Sequence, residues 1–242
     1  MLTEQNIREF TKKLQTIEKN VVREYIQHIF LSSLYKVKDS NKLLFKGGTA
    51  LRVIYQSPRF SEDLDFTGHG IFRHDEIDTI FLETLANISQ AGINISYEDA
   101  KPTSGGYLGM IHCEIFGASE DMKFEVSLRK GQKASGEATS IVAEFCPPYT
   151  LIHMPARLIV AGKMNALLDR KKPRDYYDLY FMLRHPELNK FIDKKLMKNV
   201  MKCLDGEKTD FKRELSVLLP VSHHAILKDF RSILRKELAK YL

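Results

Sequence analysis

The chain has 242 residues, 43% of them hydrophobic, which is enough to bury a core without disulfide or metal staples. No run of about 18 apolar residues occurs, and Met1-Leu-Thr-Glu-Gln-Asn-Ile-Arg8 lacks the basic-then-apolar profile of a secretory leader, so a soluble cytoplasmic protein is expected. Residues 1–149 hold 17 Lys+Arg against 20 Asp+Glu and residues 150–242 hold 20 against 11, a split that fits an acidic or metal-binding half joined to a half that attracts phosphate backbones, or else an ordinary basic helical surface.

From Thr3 to about Val37 the apolar spacing predicts two helices, with Ile7, Phe10, Leu14 and Ile17 on the first and Val22, Tyr25, Ile26, Ile29 and Phe30 on the second. Leu43-Leu-Phe45 is a short apolar run that ends at Gly47-Gly48, after which Thr49-Ala-Leu-Arg-Val-Ile-Tyr55 returns to helical character: a strand, a glycine turn and a helix. Asp63-Leu-Asp-Phe-Thr67 alternates like a strand, and a helix follows from Asp75 to about Ala91. Further strands are expected at Ile93–Tyr97, Tyr107–Ile115 and Met122–Leu128, with Gly105-Gly106 as a hairpin turn. Residues 131–140 read as a polar loop and Pro147-Pro148 as a domain boundary; beyond it only helices are expected, over Pro155–Asp169, Pro173–Leu183, Lys190–Cys203 and Ala225–Tyr241. Cys113, Cys146 and Cys203 lack metal-ligand spacing and read as reduced thiols, and His223-His224, with no acidic or cysteine partner at ligand spacing, as surface residues.

Chemistry concentrates in three blocks. Gly47-Gly48 opens a helix whose first-turn N–H groups and positive dipole end suit a phosphate, Lys46 precedes it, and Thr49 is able to cap the helix or donate to phosphate; a simple turn is the plainer meaning. Asp63 and Asp65 stand two apart on a strand, so their carboxylates share a side and call for a cation, Mg²⁺ being the hard ion that two carboxylates and a phosphate oxygen would bind. As an isolated pair they would be a solvated strand end; some fifteen residues after a strand–glycine–helix unit they become a phosphate turn beside a metal pair.

Together these blocks resemble the nucleotidyltransferase superfamily with a DNA polymerase β-like core, in which a third acid on a nearby strand completes the metal site. Glu125 in Met122-Lys-Phe-Glu-Val-Ser-Leu128 is the candidate; it departs from the usual aspartate, and is either that acid or an outward-facing strand residue. The third block, Lys163-Met-Asn-Ala-Leu-Leu-Asp-Arg170 followed by Arg174-Asp175-Tyr-Tyr-Asp178-Leu, narrows the resemblance to the AbiEii/MenT family of toxins from bacterial toxin–antitoxin systems. Lys163 and Arg170 share a helix face, Arg174 and Asp178 have pairing distance on the next helix, and Asp175 is otherwise a helix-dipole partner. The resemblance implies that Ser61 and Asp63 sit at nucleotide and metal, that Asp65 is the second metal carboxylate, and that Lys163 and Asp175 complete the site, Lys163 on a nucleotide phosphate.

The expected fold is therefore α+β: a mixed-sheet nucleotidyltransferase domain with N-terminal helices over 1–150 and a helical domain over 151–242, with the site in the cleft where they meet. The resemblance also implies a nucleoside triphosphate substrate, transfer to the 3′ end of tRNA, and an antitoxin that need not bind directly; a monomer is expected. From the residues themselves, Lys194, Lys195, Lys198 and Lys202 form a basic stripe suited to an RNA backbone, or simply a solvated face. Two alternatives remain: transfer to a protein or small-molecule hydroxyl, and a non-catalytic nucleotide- or RNA-binding module that keeps the fold.

Overall fold

The computed structural model describes residues 3–71, 73–115, 117–128 and 135–242. It divides into two compact units, one formed by Met1–Gln56 with Phe60–Pro155 and the other by Ser57–Arg59 with Ala156–Leu242. Ser57–Arg59 thus belongs with the C-terminal helices, and the boundary expected at 150/151 falls inside a strand.

The first unit opens with helices α1 (Glu4–Lys13) and α2 (Glu18–Leu34). Thr3 caps α1 by accepting from the Asn6 amide, and the Asn6 side chain accepts the Thr3 N–H in return. Strand β1 (Leu43–Lys46) runs straight into α3 (Gly47–Tyr55); β2 (Leu64–Gly68), α4 (His74–Gln90), β3 (Asn94–Thr103), β4 (Gly106–Ile115), β5 (Ala118–Ser127), β6 (Glu137–Ala143) and β7 (Cys146–His153) follow. Among the described residues they make a 7-stranded sheet of order β3-β4-β5-β2-β1-β7-β6. It is mixed: β2 lies parallel to β5 and β1 parallel to β7, while the other pairs are antiparallel.

Alternation along the central strands sets the core. Leu64, Phe66, Phe124 and Val126 are wholly buried, and the rings of Phe45, Phe66 and Phe124 continue to Phe30 of α2 and Phe81 of α4, with neighbouring centroids such as Phe66–Phe124 at 4.9 Å and Phe30–Phe124 at 5.9 Å. Asp65 and Glu125, between those apolar residues, therefore face the other side of the sheet.

Strands β6 and β7 replace the expected polar loop over 137–140 and the expected boundary at Pro147-Pro148; residues 131–134 of that loop lie outside the described residues. Both prolines stand in β7 where its register with β6 shifts between Ile141 and Ala143, so their missing N–H groups fall at a bulge. A second shift, between Tyr97 and Asp99, interrupts β3 against β4. Gly105-Gly106 does close the β3–β4 hairpin.

The second unit is helical: α5 (Ala156–Arg170), α6 (Pro173–Arg184), α7 (Met197–Gly206), α8 (Phe211–Leu218) and α9 (Phe230–Ala239). Its core is built on Tyr176, Tyr177, Phe211 and Phe230, with Phe211 and Phe230 centroids 5.2 Å apart. Two of the expected helices differ. Lys194 and Lys195 lie in a 3-10 turn capped by Asp193, and only Lys198 and Lys202 are on α7, so the basic stripe is broken in two. His223 and His224 lie in a 3-10 segment and are partly exposed, with His224 Nε2 3.1 Å from the Leu219 carbonyl. Among the described residues no helix is long and apolar enough to cross a membrane, and all three cysteines are free.

Candidate active site

In the first unit the site is built around one glycine. Gly47 takes φ +86°, a left-handed conformation open to glycine at little cost, which turns β1 directly into α3. Lys46 is the register partner of Asp65 on β2, so the turn stands beside that carboxylate. A Cβ at Gly47 would overlap the Asp65 carboxyl group, which therefore occupies the space the missing side chain leaves. The helix begins at Gly47 with no side-chain cap, leaving its first-turn N–H groups as donors for an anion.

Thr49 does not cap α3. It is wholly buried, and its hydroxyl donates to the Asp63 carbonyl, tying the helix to the segment that leads into β2. Asp63 immediately precedes β2 and Asp65 is its second residue; both are half-buried, two apart and on one side of the chain. Hard oxygens at this spacing, with Gly47 leaving room around Asp65, suit a divalent cation such as Mg²⁺. Ser61 is half-buried, and its carbonyl accepts from Gln27 Nε2 at 2.9 Å.

Glu125 is the register partner of Asp65 across the parallel β2–β5 pair, so the two acids share a sheet face. Its side chain is about half exposed and lies 3.2 Å from Lys123 Nζ. A separate group, Glu98, His112 and Asp121, brings one ligand atom from each of β3, β4 and β5 within 4.8 Å of one another. Asp121 stands four residues before Glu125 on β5, and the group is not the one that Gly47 adjoins.

In the second unit the charged residues close on each other. Asp178 of α6 accepts from Arg59 Nε at 2.7 Å and Nη2 at 3.0 Å, and from Lys163 Nζ at 2.7 Å. Arg59 and Asp178 are almost fully buried and Lys163 nearly so. Burial opposes ionisation of Asp178, yet Arg59 and Lys163 beside it hold its carboxyl below the usual carboxylate range. Asp175, also buried, accepts from Arg170 Nη2 at 2.7 Å and from the Lys172 amide at 3.2 Å, which fixes the start of α6. Arg174 Nε lies 3.9 Å from Glu214.

The structure thus gathers Gly47, Asp65, Lys46 and Glu125 at one end of the β1–β2–β5 ladder, and pairs Lys163 with Asp178 rather than with Asp175. Spacing alone points Asp178 at Arg174, four residues earlier on the same helix. The signal that was present is chemical: an acid between Tyr177 and Leu179 on a buried face needs buried cations, though residue type alone does not say which ones.

Among solved structures, the nucleotidyltransferase toxin MenT4 from Mycobacterium tuberculosis superposes with a TM-score of 0.70 at 18% identity, covering 100% of this chain and 90% of that one. JHP933 from Helicobacter pylori superposes with a TM-score of 0.60 at 23% identity, covering 93% and 95%. At these identities the likeness is one of fold. No curated protein matches the chain. The family model described as nucleotidyl transferase AbiEii toxin of a type IV toxin–antitoxin system matches residues 29–239, and the chain belongs to that family.

Proposed function

We propose that the chain is a Mg²⁺-dependent nucleotidyltransferase toxin that moves a nucleotide from a nucleoside triphosphate to an RNA hydroxyl, the 3′ end of tRNA, and acts as a cytoplasmic monomer. The observation that carries this reading is the Asp63/Asp65 pair beside a glycine turn whose Gly47 makes room for the Asp65 carboxyl group. These carboxylates would hold Mg²⁺, which supplies charge neutralisation of the triphosphate and of the leaving group. The acceptor oxygen attacks the α-phosphorus, the bond from that phosphorus to the bridging oxygen breaks, and pyrophosphate leaves. The N–H groups at the start of α3 and the Lys46 ammonium hold phosphate oxygens. Glu125, in register beside Asp65, takes the hydroxyl proton. Lys163 carries positive charge to the nucleotide, with its rotamer fixed by Asp178. Thr49, engaged with the Asp63 carbonyl, positions the metal segment instead of touching phosphate.

The RNA acceptor is what the resemblance implies, and the excess of Lys+Arg over Asp+Glu, 20 against 11, in residues 150–242 fits it. The deciding experiment incubates the protein with total tRNA and each α-labelled ribonucleotide, with Asp65→Ala as control. Label should enter tRNA with one or more nucleotides and fall about 1,000-fold or more in the variant. Label that stays out of RNA, or enters equally with Asp65→Ala, refutes the assignment; label on protein or on a small molecule moves the acceptor to that class.

A further inference from the structure

The segment Phe60–Asp63 delivers Asp63 to the site, yet it precedes β2 and has no place in the strand ladder. It is held at four successive residues by side chains of α2 and α3. The Arg52 guanidinium lies 3.8 Å from the Phe60 ring centroid. Gln27 Nε2 donates to the Ser61 carbonyl at 2.9 Å. Arg23 Nη1 reaches the Glu62 carboxylate at 2.7 Å. Thr49 donates to the Asp63 carbonyl.

Two of these grips originate on one stretch of α2, and a third is fixed from it. Arg23 and Gln27 are one turn apart and so share a helix face. Glu24, between them, accepts from Arg52 Nε at 2.7 Å and Nη2 at 2.9 Å and so fixes the guanidinium that covers Phe60. Arg23 also forks. While Nη1 holds Glu62, Nε donates at 3.0 Å to Glu120, a buried carboxylate at the start of β5, the strand that carries Glu125. One planar guanidinium thereby spaces the segment before β2 from the strand that lies parallel to it. A lysine could supply the charge and donors, but from one nitrogen and not from two fixed positions of a planar fork.

Parity explains why this grip leaves the site open. Glu120 has the alternation of Met122, Phe124 and Val126, which are buried, and Glu62 that of Leu64 and Phe66. Asp63, Asp65 and Glu125 have the opposite alternation. The clamp thus works from the back of the sheet, while the carboxylates present to the front.

We propose that Arg23, with Gln27 and with Glu24 acting through Arg52, is a positioning residue that sets Asp63 for metal binding through Glu62 and the Ser61 carbonyl. The proposal rests on the reading of Asp63 and Asp65 as metal ligands.

The test measures the Mg²⁺ concentration for half-maximal label transfer, Mn²⁺ affinity by electron paramagnetic resonance, and thermal unfolding, for wild type, Arg23→Ala, Arg23→Lys, Glu62→Gln and the Arg23→Ala/Glu62→Gln double variant. Arg23→Ala should raise the metal requirement roughly 10–100-fold, as loss of a residue that orients a ligand does. Arg23→Lys should recover part of the loss. Glu62→Gln should reproduce the shift, and the double variant should be no worse than the stronger single one. Glu62 is partly exposed and the change is isosteric, so this variant carries the test if Arg23→Ala does not fold. An unmoved metal requirement in Glu62→Gln, a lowered melting temperature without any metal shift, or additive effects of Arg23 and Glu62 each overturn the clamp. A wild type that neither binds Mn²⁺ nor transfers label overturns the metal-site reading itself, and the clamp with it; a working wild type with unshifted variants removes the clamp alone.

Discussion

Asp178 in the second unit and Asp65 in the first both stand between large apolar residues, yet they are handled in opposite ways. Asp178 is buried and closed by two cations at 2.7 to 3.0 Å. Asp65 is half-buried, beside a glycine whose lost side chain gives its carboxyl group room. One acid completes the interior of its own unit, and the other stands at the glycine turn with part of its surface in solvent. The difference teaches where substitution of each acid should register first: stability for Asp178, activity for Asp65.

The sharpest way to break this comparison is Asp178→Ala, which leaves Arg59 and Lys163 buried without the carboxylate that bonds both. Stability should fall by about 3–5 kcal/mol in urea unfolding. A loss under about 1 kcal/mol would mean the triad is not closed. Acid should distinguish the units as well. His28 of α2, whose Nδ1 lies 2.9 Å from the Tyr149 hydroxyl, is lowered to about 4, first by burial and then by Arg52, against the opposing pull of Glu24. Between its unfolded value near 6.5 and about 4 the unfolded chain binds the extra proton, so stability rises with pH there and is lost on acidification. About 3 kcal/mol should disappear over that interval, and His28→Gln should flatten the profile. Asp178, whose pKa is depressed, stabilises the fold above its unfolded value and gives way only as pH falls through its folded one, below the usual carboxylate range. Probes in the first unit should therefore respond to acid before probes in the second.

Gly47→Ala should show the converse of Asp178→Ala. The methyl would displace Asp65 and the backbone would hold a residue at positive φ, so label transfer should drop about 100-fold. The accompanying stability cost should be only about 1–2 kcal/mol. A variant of unchanged activity would show that the carboxylate does not depend on the glycine. Smallest of all, Lys13→Ala removes an exposed ion pair to Glu144 and should change unfolding by less than about 1 kcal/mol, with transfer intact.

The sequence makes the glycine turn, the Asp63/Asp65 spacing and the acid-bearing apolar strand at Glu125 readable, because each is a local pattern whose meaning follows from period and residue type. Two things were not readable. Strands β6 and β7 hide behind Pro147-Pro148 and a polar Glu137-Ala-Thr-Ser, since an edge strand tolerates polar residues and a bulge tolerates proline. The partners of Asp178 were hidden for a different reason: Arg59 is 119 residues away in sequence and Lys163 stands on another helix, and spacing along one helix says nothing about such pairs.

The register shifts in the outermost ladders bear on how other chains can meet this one. Strands β3 and β6 are the ends of the described sheet, and each pairs with its neighbour through a bulge. β3 adds Glu98, Asp99, Lys101 and Pro102 to its exposed run. Interrupted, charged and proline-bearing margins are poor templates for strand addition. A chain that extended this sheet at either end would need to straighten a bulge first.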